Sequence, residues 1–130
     1  MTTATALPKR QDVPKEDTWS LETIYPDDQL WEEDFARVEG ALPELTALAG
    51  TLGLGHEQLL RALEQIHGTQ RTLEQLLAYA FMRRDEDTTN ATYQALAERM
   101  SMLAARFGSA TAFLATELLA LSDEQIDAYL

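Results

Sequence analysis

Hydrophobic residues recur at alternating steps of four and three along most of this chain, which is the spacing of one face of an α-helix. The first such stripe follows the acidic pair Asp27-Asp28, and either residue is suited to cap a helix N-terminus. Gly40 and Pro43 fall inside the stripe, so we expect a kink or an early end near Ala41. The stripe consists of Trp31, Phe35, Val38, Leu42 and Leu45.

Two longer stripes follow a loop that is marked by three glycines between positions 50 and 55. The first of them predicts a helix through Arg84, with a break at Gly68 as an alternative, because an interior glycine costs about 1 kcal/mol relative to alanine. The second begins after a short acidic turn, with Thr89 or Asn90 as its N-cap. Together they predict an antiparallel helical hairpin. The two stripes are Leu59, Leu63, Ile66, Gln70, Leu73, Leu77 and Ala80, then Tyr93, Leu96, Met100, Leu103, Phe107, Ala110 and Leu114.

The region before the first helix has a different pattern. Residues 1–17 mix charged side chains with two prolines, which predicts a flexible, extended polar arm. Residues 19–26 alternate apolar and polar side chains and end at Pro26, so we expect an extended segment that lays its aromatic side chains on the helices.

A capping box marks the last predicted helix. Ser122 and Gln125 have the required spacing, and the chain ends barely two turns later on the apolar pair Tyr129-Leu130. A domain seldom ends on the apolar residues of a new helix, so we expect the chain to be the front piece of a longer protein. The patterns predict an all-α fold: a short extended N-terminal arm followed by an up-down helical bundle with a long antiparallel helical hairpin.

Net charge, cysteine content and the length of apolar runs exclude several classes of binding partner. Ten Lys and Arg residues against 22 Asp and Glu residues give a formal net charge of −12, and cysteine is absent, which excludes disulfides and thiolate metal sites. So acidic a chain is poorly suited to nucleic acid or anionic membranes, because phosphate contacts need Lys or Arg. No apolar run approaches the roughly 20 residues of a membrane helix. We therefore expect no nucleic-acid or membrane partner and, without a recognisable leader, a cytoplasmic location.

The pair His56-Glu57 begins like the His-Glu-x-x-His pattern of zinc peptidases, in which two imidazoles one helical turn apart bind the metal. Leu60 occupies the position of the second histidine, so we interpret His56 as a first-turn residue of the second helix. The other histidine, His67, is eleven residues away, or about 16 Å along a helix, which is too far for one metal ion. No metal-ligating residue is predicted.

Other candidate motifs also fail. Asp85-Glu86-Asp87 lacks the alternating oxygen ligands, central glycine and terminal glutamate of an EF-hand loop, so we interpret it as a solvated turn. The sequence contains no Gly-x-Ser-x-Gly elbow and no phosphate-binding loop. No catalytic residue is predicted, and substrate-binding residues stay unassigned.

The surplus acid lies outside the hairpin, since residues 55–84 and 91–116 are close to neutral. Arg61 is expected to pair with Glu57 and Glu64 on the helix surface. The alternative is a mildly basic hairpin face that guides a peptide carboxylate or an acidic partner. Acidic residues of the first helix are expected to be solvated, namely Glu32, Glu33, Asp34 and Glu39.

A series of short segments carries a family resemblance in order along nearly the whole chain. The segments are Leu7-Pro8-Lys9-Arg10, Val13-Pro14, Thr18-Trp19-Ser20-Leu21, Ile24-Tyr25-Pro26, Trp31, Asp85-Glu86-Asp87-Thr88-Thr89-Asn90, Tyr93-Gln94-Ala95-Leu96, Glu117-Leu118-Leu119 and Tyr129-Leu130. Together they resemble the opening segment of oligoendopeptidase F. The resemblance implies an all-helical zinc metallopeptidase of the thimet-oligopeptidase type, which cleaves short peptides in a channel between two lobes.

The same resemblance implies that the zinc ligands and the general base lie in a His-Glu-x-x-His helix further along such proteins. Residues 18–130 would then form an incomplete N-terminal helical lobe that walls the channel, binds no metal and is inactive alone. Its implied partners are the C-terminal catalytic domain of the same parent chain and oligopeptide substrates. The rival hypothesis is a free-standing helical protein-protein interaction module without enzymatic activity, and self-association of the chain is a further expectation.

Overall fold

A computed structural model describes residues 6–130 and confirms the all-α class, with five α-helices and no strand in that range. The helices are α1 (Asp28–Thr46), α2 (His56–Glu86), α3 (Ala91–Ala110), α4 (Phe113–Leu119) and α5 (Asp123–Tyr129). Short 3-10 turns lie at Arg10–Asp12, Lys15–Asp17, Leu21–Thr23 and Leu52–Leu54. The three long helices pack against one another, and α2 with α3 forms the predicted hairpin.

The N-terminal arm is extended except at two 3-10 turns. Lys9, Val13 and Thr18 have extended backbone angles, and the intervening turns close through hydrogen bonds such as Asp12 N to Lys9 O at 2.9 Å. Residues 1–5 of the predicted arm lie outside the described residues, and its flexibility stays a prediction.

The segment before α1 is not uniformly extended, so that prediction was wrong at the 3-10 turn Leu21–Thr23. Leu21 and Tyr25 are buried, and the Tyr25 ring meets the Tyr79 ring edge-on at 5.4 Å. Trp19 stays 52% exposed. The packing of aromatic side chains on the helices is therefore confirmed for Tyr25 and wrong for Trp19.

Helix α1 begins as predicted, because the Asp27 carboxylate accepts a hydrogen bond from Leu30 N at 2.9 Å. It does not end near Ala41 but continues through Pro43 to Thr46. An interior proline costs about 3 kcal/mol, but Leu42 and Leu45 on either side of it are only 5% and 0% exposed. Their burial holds this last turn in place.

Helix α2 is unbroken at Gly68. Its buried face differs from the predicted stripe, because Gln70 is exposed and donates to Glu74 at 2.9 Å, while Leu76 and Tyr79 are fully buried. A stripe with a period of 3.5 residues drifts by about 20° per heptad from the face of a straight helix. The residues of α2 that are buried are Ala62, Ile66, Leu73, Leu76, Tyr79 and Ala80.

The cap of α3 is Asn90 rather than Thr89, since the Asn90 side chain accepts hydrogen bonds from Thr92 N and Tyr93 N. The predicted stripe extends to Leu114, but the helix ends at Ala110 and α4 starts afresh at Phe113. The predicted capping box is confirmed at α5, where Ser122 and Gln125 each accept from the other's backbone N–H.

The acidic face of α1 is not simply solvated, contrary to the prediction. Glu32 receives a bidentate hydrogen bond from Arg99 on α3 at 2.6 and 2.8 Å, which lowers the pKa of the Glu32 carboxyl. Arg106 likewise bonds Glu39 at 2.6 Å. The predicted pairing of Arg61 on α2 with acidic neighbours was wrong, because Arg61 donates to Gln58 at 3.0 Å. Arginines of α3 thus meet the acids of α1.

Alkaline pH is expected to destabilise the protein through the buried Tyr79. The Tyr79 side chain is buried and its hydroxyl donates to Asp28 at 2.7 Å. Burial first, and then this bond to a carboxylate, raise the pKa of Tyr79 to about 12. In the unfolded chain the pKa of this phenol is about 10. The contribution of neutral Tyr79 to the free energy of unfolding is therefore complete below pH 10 and is lost as pH rises toward 12.

In Tyr79→Phe, the free energy of unfolding should therefore decline less steeply between pH 10 and pH 12 than in the wild type, by up to about 1.4 kcal/mol per pH unit. Urea unfolding at fixed pH values measures the slope. Trp19→Phe, at a half-exposed position without an ionisable group, should keep the wild-type slope. Equal slopes for Tyr79→Phe and the wild type would contradict the assignment.

Candidate functional site

The acidic turn singled out in the sequence joins α2 to α3. The Asp87 carboxylate accepts from the Thr89 hydroxyl at 2.6 Å and from Thr89 N at 3.1 Å, and these bonds lower the pKa of Asp87. Asp85 pairs with Arg84 at 2.8 Å. The turn therefore uses its acids for local hydrogen bonds, as expected of a helix connection.

Glu86 departs from the predicted solvated turn, since its side chain is only 9% exposed. One carboxylate oxygen accepts from Arg10 at 3.1 Å and the other from Arg83 at 3.2 Å. Glu86 thus ties the N-terminal arm to the end of α2. Sequence reasoning missed this contact, because Arg10 and Glu86 are 76 positions apart and no local pattern links them.

Arg83 lies between two aromatic rings in the same network. Its guanidinium carbon is 5.1 Å from the Tyr79 ring centre and 5.7 Å from that of Tyr93. Burial alone would lower the pKa of Arg83, but its interactions with Tyr79 and Tyr93 and its hydrogen bond to Glu86 outweigh burial and raise that pKa. Its Nε is buried and, among the described residues, has no hydrogen-bond partner. The arginine is held mainly by stacking and by one carboxylate.

A groove of about 1180 Å³ opens between the N-terminal arm and this turn. Its walls come from residues 7–22 and 85–89, and they include Lys9, Lys15, Asp85 and Asp87. Both signs of charge thus face the groove, and none of its described lining residues is a histidine. The described lining lacks the pairing of a nucleophile with a histidine base that acyl transfer commonly uses.

The two histidines lie apart from this groove. His56 is the first residue of α2, as predicted, and its ring is 6.2 Å from the Tyr129 ring. His67 is exposed in the middle of α2. Within residues 6–130, no three side chains of the metal-binding types come together to hold an ion. The residues of this segment therefore do not fit a zinc site.

Comparison with known proteins identifies relatives of the chain, although no protein-family model matches it. Oligopeptidase PepF of Bacillus subtilis is 35% identical over 127 residues. The plasmid-encoded oligoendopeptidase F of Lactococcus lactis subsp. cremoris is 32% identical over 126 residues. These matches span 98% and 93% of this chain, but only 19% and 20% of the relatives. The chain is a relative of oligoendopeptidase F.

Solved structures agree with this oligoendopeptidase F relationship. The crystal structure of oligoendopeptidase-F from Enterococcus faecium superposes with a TM-score of 0.74 at 35% identity, over 79% of this chain and 20% of that one. A putative peptidase from Chlamydophila abortus gives a TM-score of 0.83 at 25% identity, over 95% and 21%. The family resemblance seen in the sequence is confirmed, and the chain spans about one fifth of the length of these proteins.

Segments that carried the oligoendopeptidase F resemblance lie near the groove. Thr18, Trp19 and Ser20 line it from the arm, and the turn from Asp85 to Thr89 lines it from the opposite side. The Arg10 to Glu86 contact holds the arm against the end of α2, and segments far apart in the sequence thus line one groove. Among the described residues, no helix is apolar enough over sufficient length to cross a bilayer.

Proposed function

We propose that this chain is the N-terminal lobe segment of an oligoendopeptidase F-type zinc metallopeptidase that hydrolyses oligopeptides. The observation that carries the proposal is the match of 98% of the chain to 19% of Oligopeptidase PepF at 35% identity. The superposition on 20% of the oligoendopeptidase-F structure from Enterococcus faecium supports the proposal.

In this proposal the segment walls the substrate channel and takes no part in the chemistry. Its three long helices are locked by a shared apolar core and by ion pairs between α1 and α3, which suits a rigid wall. The zinc ion and its ligands would belong to the remaining part of the parent chain, because the side chains of residues 6–130 form no group that fits a metal. The catalytic domain is then the main partner, oligopeptides are the substrates, and a cytoplasmic location stays a prediction.

The rival hypothesis of a free-standing interaction module is not favoured. Each of the two named curated relatives is an oligopeptidase, and each aligns with nearly the whole chain. An interaction module would form a complex in which no peptidase activity appears. Measurement of peptidase activity therefore separates the two hypotheses.

A hybrid enzyme tests the proposed function. The matched fifth of Oligopeptidase PepF is replaced by this chain, and hydrolysis of a quenched fluorescent oligopeptide is measured with and without a chelator. We expect chelator-sensitive hydrolysis with kcat/KM within about tenfold of the parent PepF. The isolated 130-residue chain should show none with added zinc.

A second hybrid, in which a flexible Gly/Ser linker replaces the matched fifth, is the control and should be inactive. Hydrolysis by the isolated chain would disprove its predicted inactivity. A folded but inactive first hybrid would count against the role as an exchangeable lobe segment.

A further inference from the structure

Large apolar side chains are exposed at one end of the bundle. We call this surface the apolar end, and its members come from the 3-10 turn before α2, from the first turns of α2, from the end of α4 and from α5. They are Leu54 (76% exposed), Leu60 (56%), Leu119 (87%) and Ile126 (41%). A single exposed leucine needs no explanation, but several at one end of a small domain indicate a contact surface.

Three contacts show that these elements are neighbours. The Tyr129 hydroxyl of α5 donates to Gly53 O at 3.3 Å, and a Leu121 methyl lies 3.8 Å from the position that a Cβ would take at Gly53. The His56 ring at the start of α2 is 6.2 Å from the Tyr129 ring. Helix α5 therefore lies against the turn that carries Leu54 and against the first turn of α2.

The remaining element of the apolar end, α4, is tied down by its own acid. The Glu117 carboxylate accepts from Gly50 N at 2.7 Å and from Leu52 N at 3.3 Å. Two backbone N–H groups thus fix the helix that carries Leu119 against the loop before α2. The exposed leucines belong to an ordered surface.

The charged residues around the apolar end indicate which kind of partner it can bind. Four acidic residues of α2 and α5 flank the apolar end. Within residues 6–130 none of the four forms a salt bridge, whereas three acids of α1 do. They are Glu57, Asp123, Glu124 and Asp127. Arg61, next to Leu60, adds one positive charge, but the four acids outnumber it, so the surface is complementary to an apolar patch with Lys or Arg at its rim. A second copy of this chain, with a net charge of −12 and the same acidic rim, would place like charges together.

We propose that the apolar end is the surface on which the remaining four-fifths of an oligopeptidase chain docks. This inference rests on the proposed function, since it takes as its occupant the part of the relatives that the chain does not match. It adds the site of contact: leucines of the turn, α2 and α4 pack on that part, and the acids of α5 face its basic rim.

Thiol labelling tests the inference, because the chain has no cysteine of its own. Leu54→Cys, Leu119→Cys and, as a control on an exposed position of α3, Met102→Cys are made both in the 130-residue chain and in the PepF hybrid. Labelling with a maleimide is followed at each site by peptide mass spectrometry. In the hybrid we expect at least tenfold slower labelling for Leu54→Cys and Leu119→Cys, and an unchanged rate for Met102→Cys.

Each outcome bears on the two proposals separately. Equal labelling rates in an active hybrid and in the isolated chain would overturn the docking surface and leave the proposed function standing. Protection in a hybrid without peptidase activity would support the surface and count against the function. Protection in the isolated chain that grows with its concentration would assign the surface to a second copy and overturn the inference.

Discussion

Trp31→Ala is expected to lower the free energy of unfolding by about 3–5 kcal/mol. Trp31 on α1 is 0% exposed, and it stacks on Phe35 with ring centres 5.2 Å apart. Its Nε1 donates to Leu76 O on α2 at 2.9 Å, so that the side chain ties α1 to the hairpin. The substitution removes the hydrogen bond and leaves a cavity where the three long helices meet.

The second tryptophan gives a matched control. Trp19 is 52% exposed, so Trp19→Ala should change the free energy of unfolding by less than about 1 kcal/mol. Trp31→Phe keeps most of the apolar volume and isolates the loss of the hydrogen bond, which is worth about 1 kcal/mol. Urea unfolding followed by circular dichroism measures all three variants. A loss for Trp31→Ala no larger than that for Trp19→Ala would contradict the central position of Trp31.

Leu73→Ala is expected to cost about 2–5 kcal/mol. Leu73 is 6% exposed and belongs to the core cluster that also contains Leu76, Leu96 and Met100. Removal of its branched end leaves a gap in the core cluster that the three long helices share. Denaturant unfolding of the isolated chain measures the effect.

Leu60→Ala on the same helix is the control for Leu73→Ala. Leu60 is 56% exposed, so its truncation should cost less than about 1 kcal/mol in the isolated chain. A loss below about 1 kcal/mol for Leu73→Ala would mean that this face of α2 is not in the core. A large loss for Leu60→Ala would instead place the first turns of α2 in the core.

Helix starts could be predicted from the sequence because their signals are local. Asp27, Asn90 and Ser122 each cap a helix as proposed, through a bond that spans two or three residues. The hairpin could be predicted as well, since periodicity over 20 residues or more outweighs a single Gly68. These features need no knowledge of distant parts of the chain.

The end of α1 and the buried face of α2 could not be predicted in this way. Pro43 signals a stop, yet the burial of Leu42 and Leu45 keeps the helix intact to Thr46. Gln70 lies on the predicted stripe but is exposed. In both cases packing against other helices determined the outcome, because the free energy of burying apolar side chains exceeds that of the residue's own helix preference.

The candidate sites also combine features that are visible in the sequence with features that arise only on folding. The motif residues around Trp19 and Asp85 carried the family resemblance, but only the folded chain places them on opposite walls of one groove. The Arg10 to Glu86 contact joins positions 76 residues apart. The apolar end depends likewise on α5 lying against Gly53.

The all-α class, the helix caps, the hairpin and the resemblance to oligoendopeptidase F follow from the amino-acid sequence, because each depends on residues close together in the chain or on their order. The buried face of α2, the contact by which Glu86 holds the arm, and the exposure of particular leucines follow instead from the packing of the folded chain. Those features arise when α1, α2 and α3 compete for the same core, and the resulting burial energies depend on contacts between residues that are far apart in the sequence.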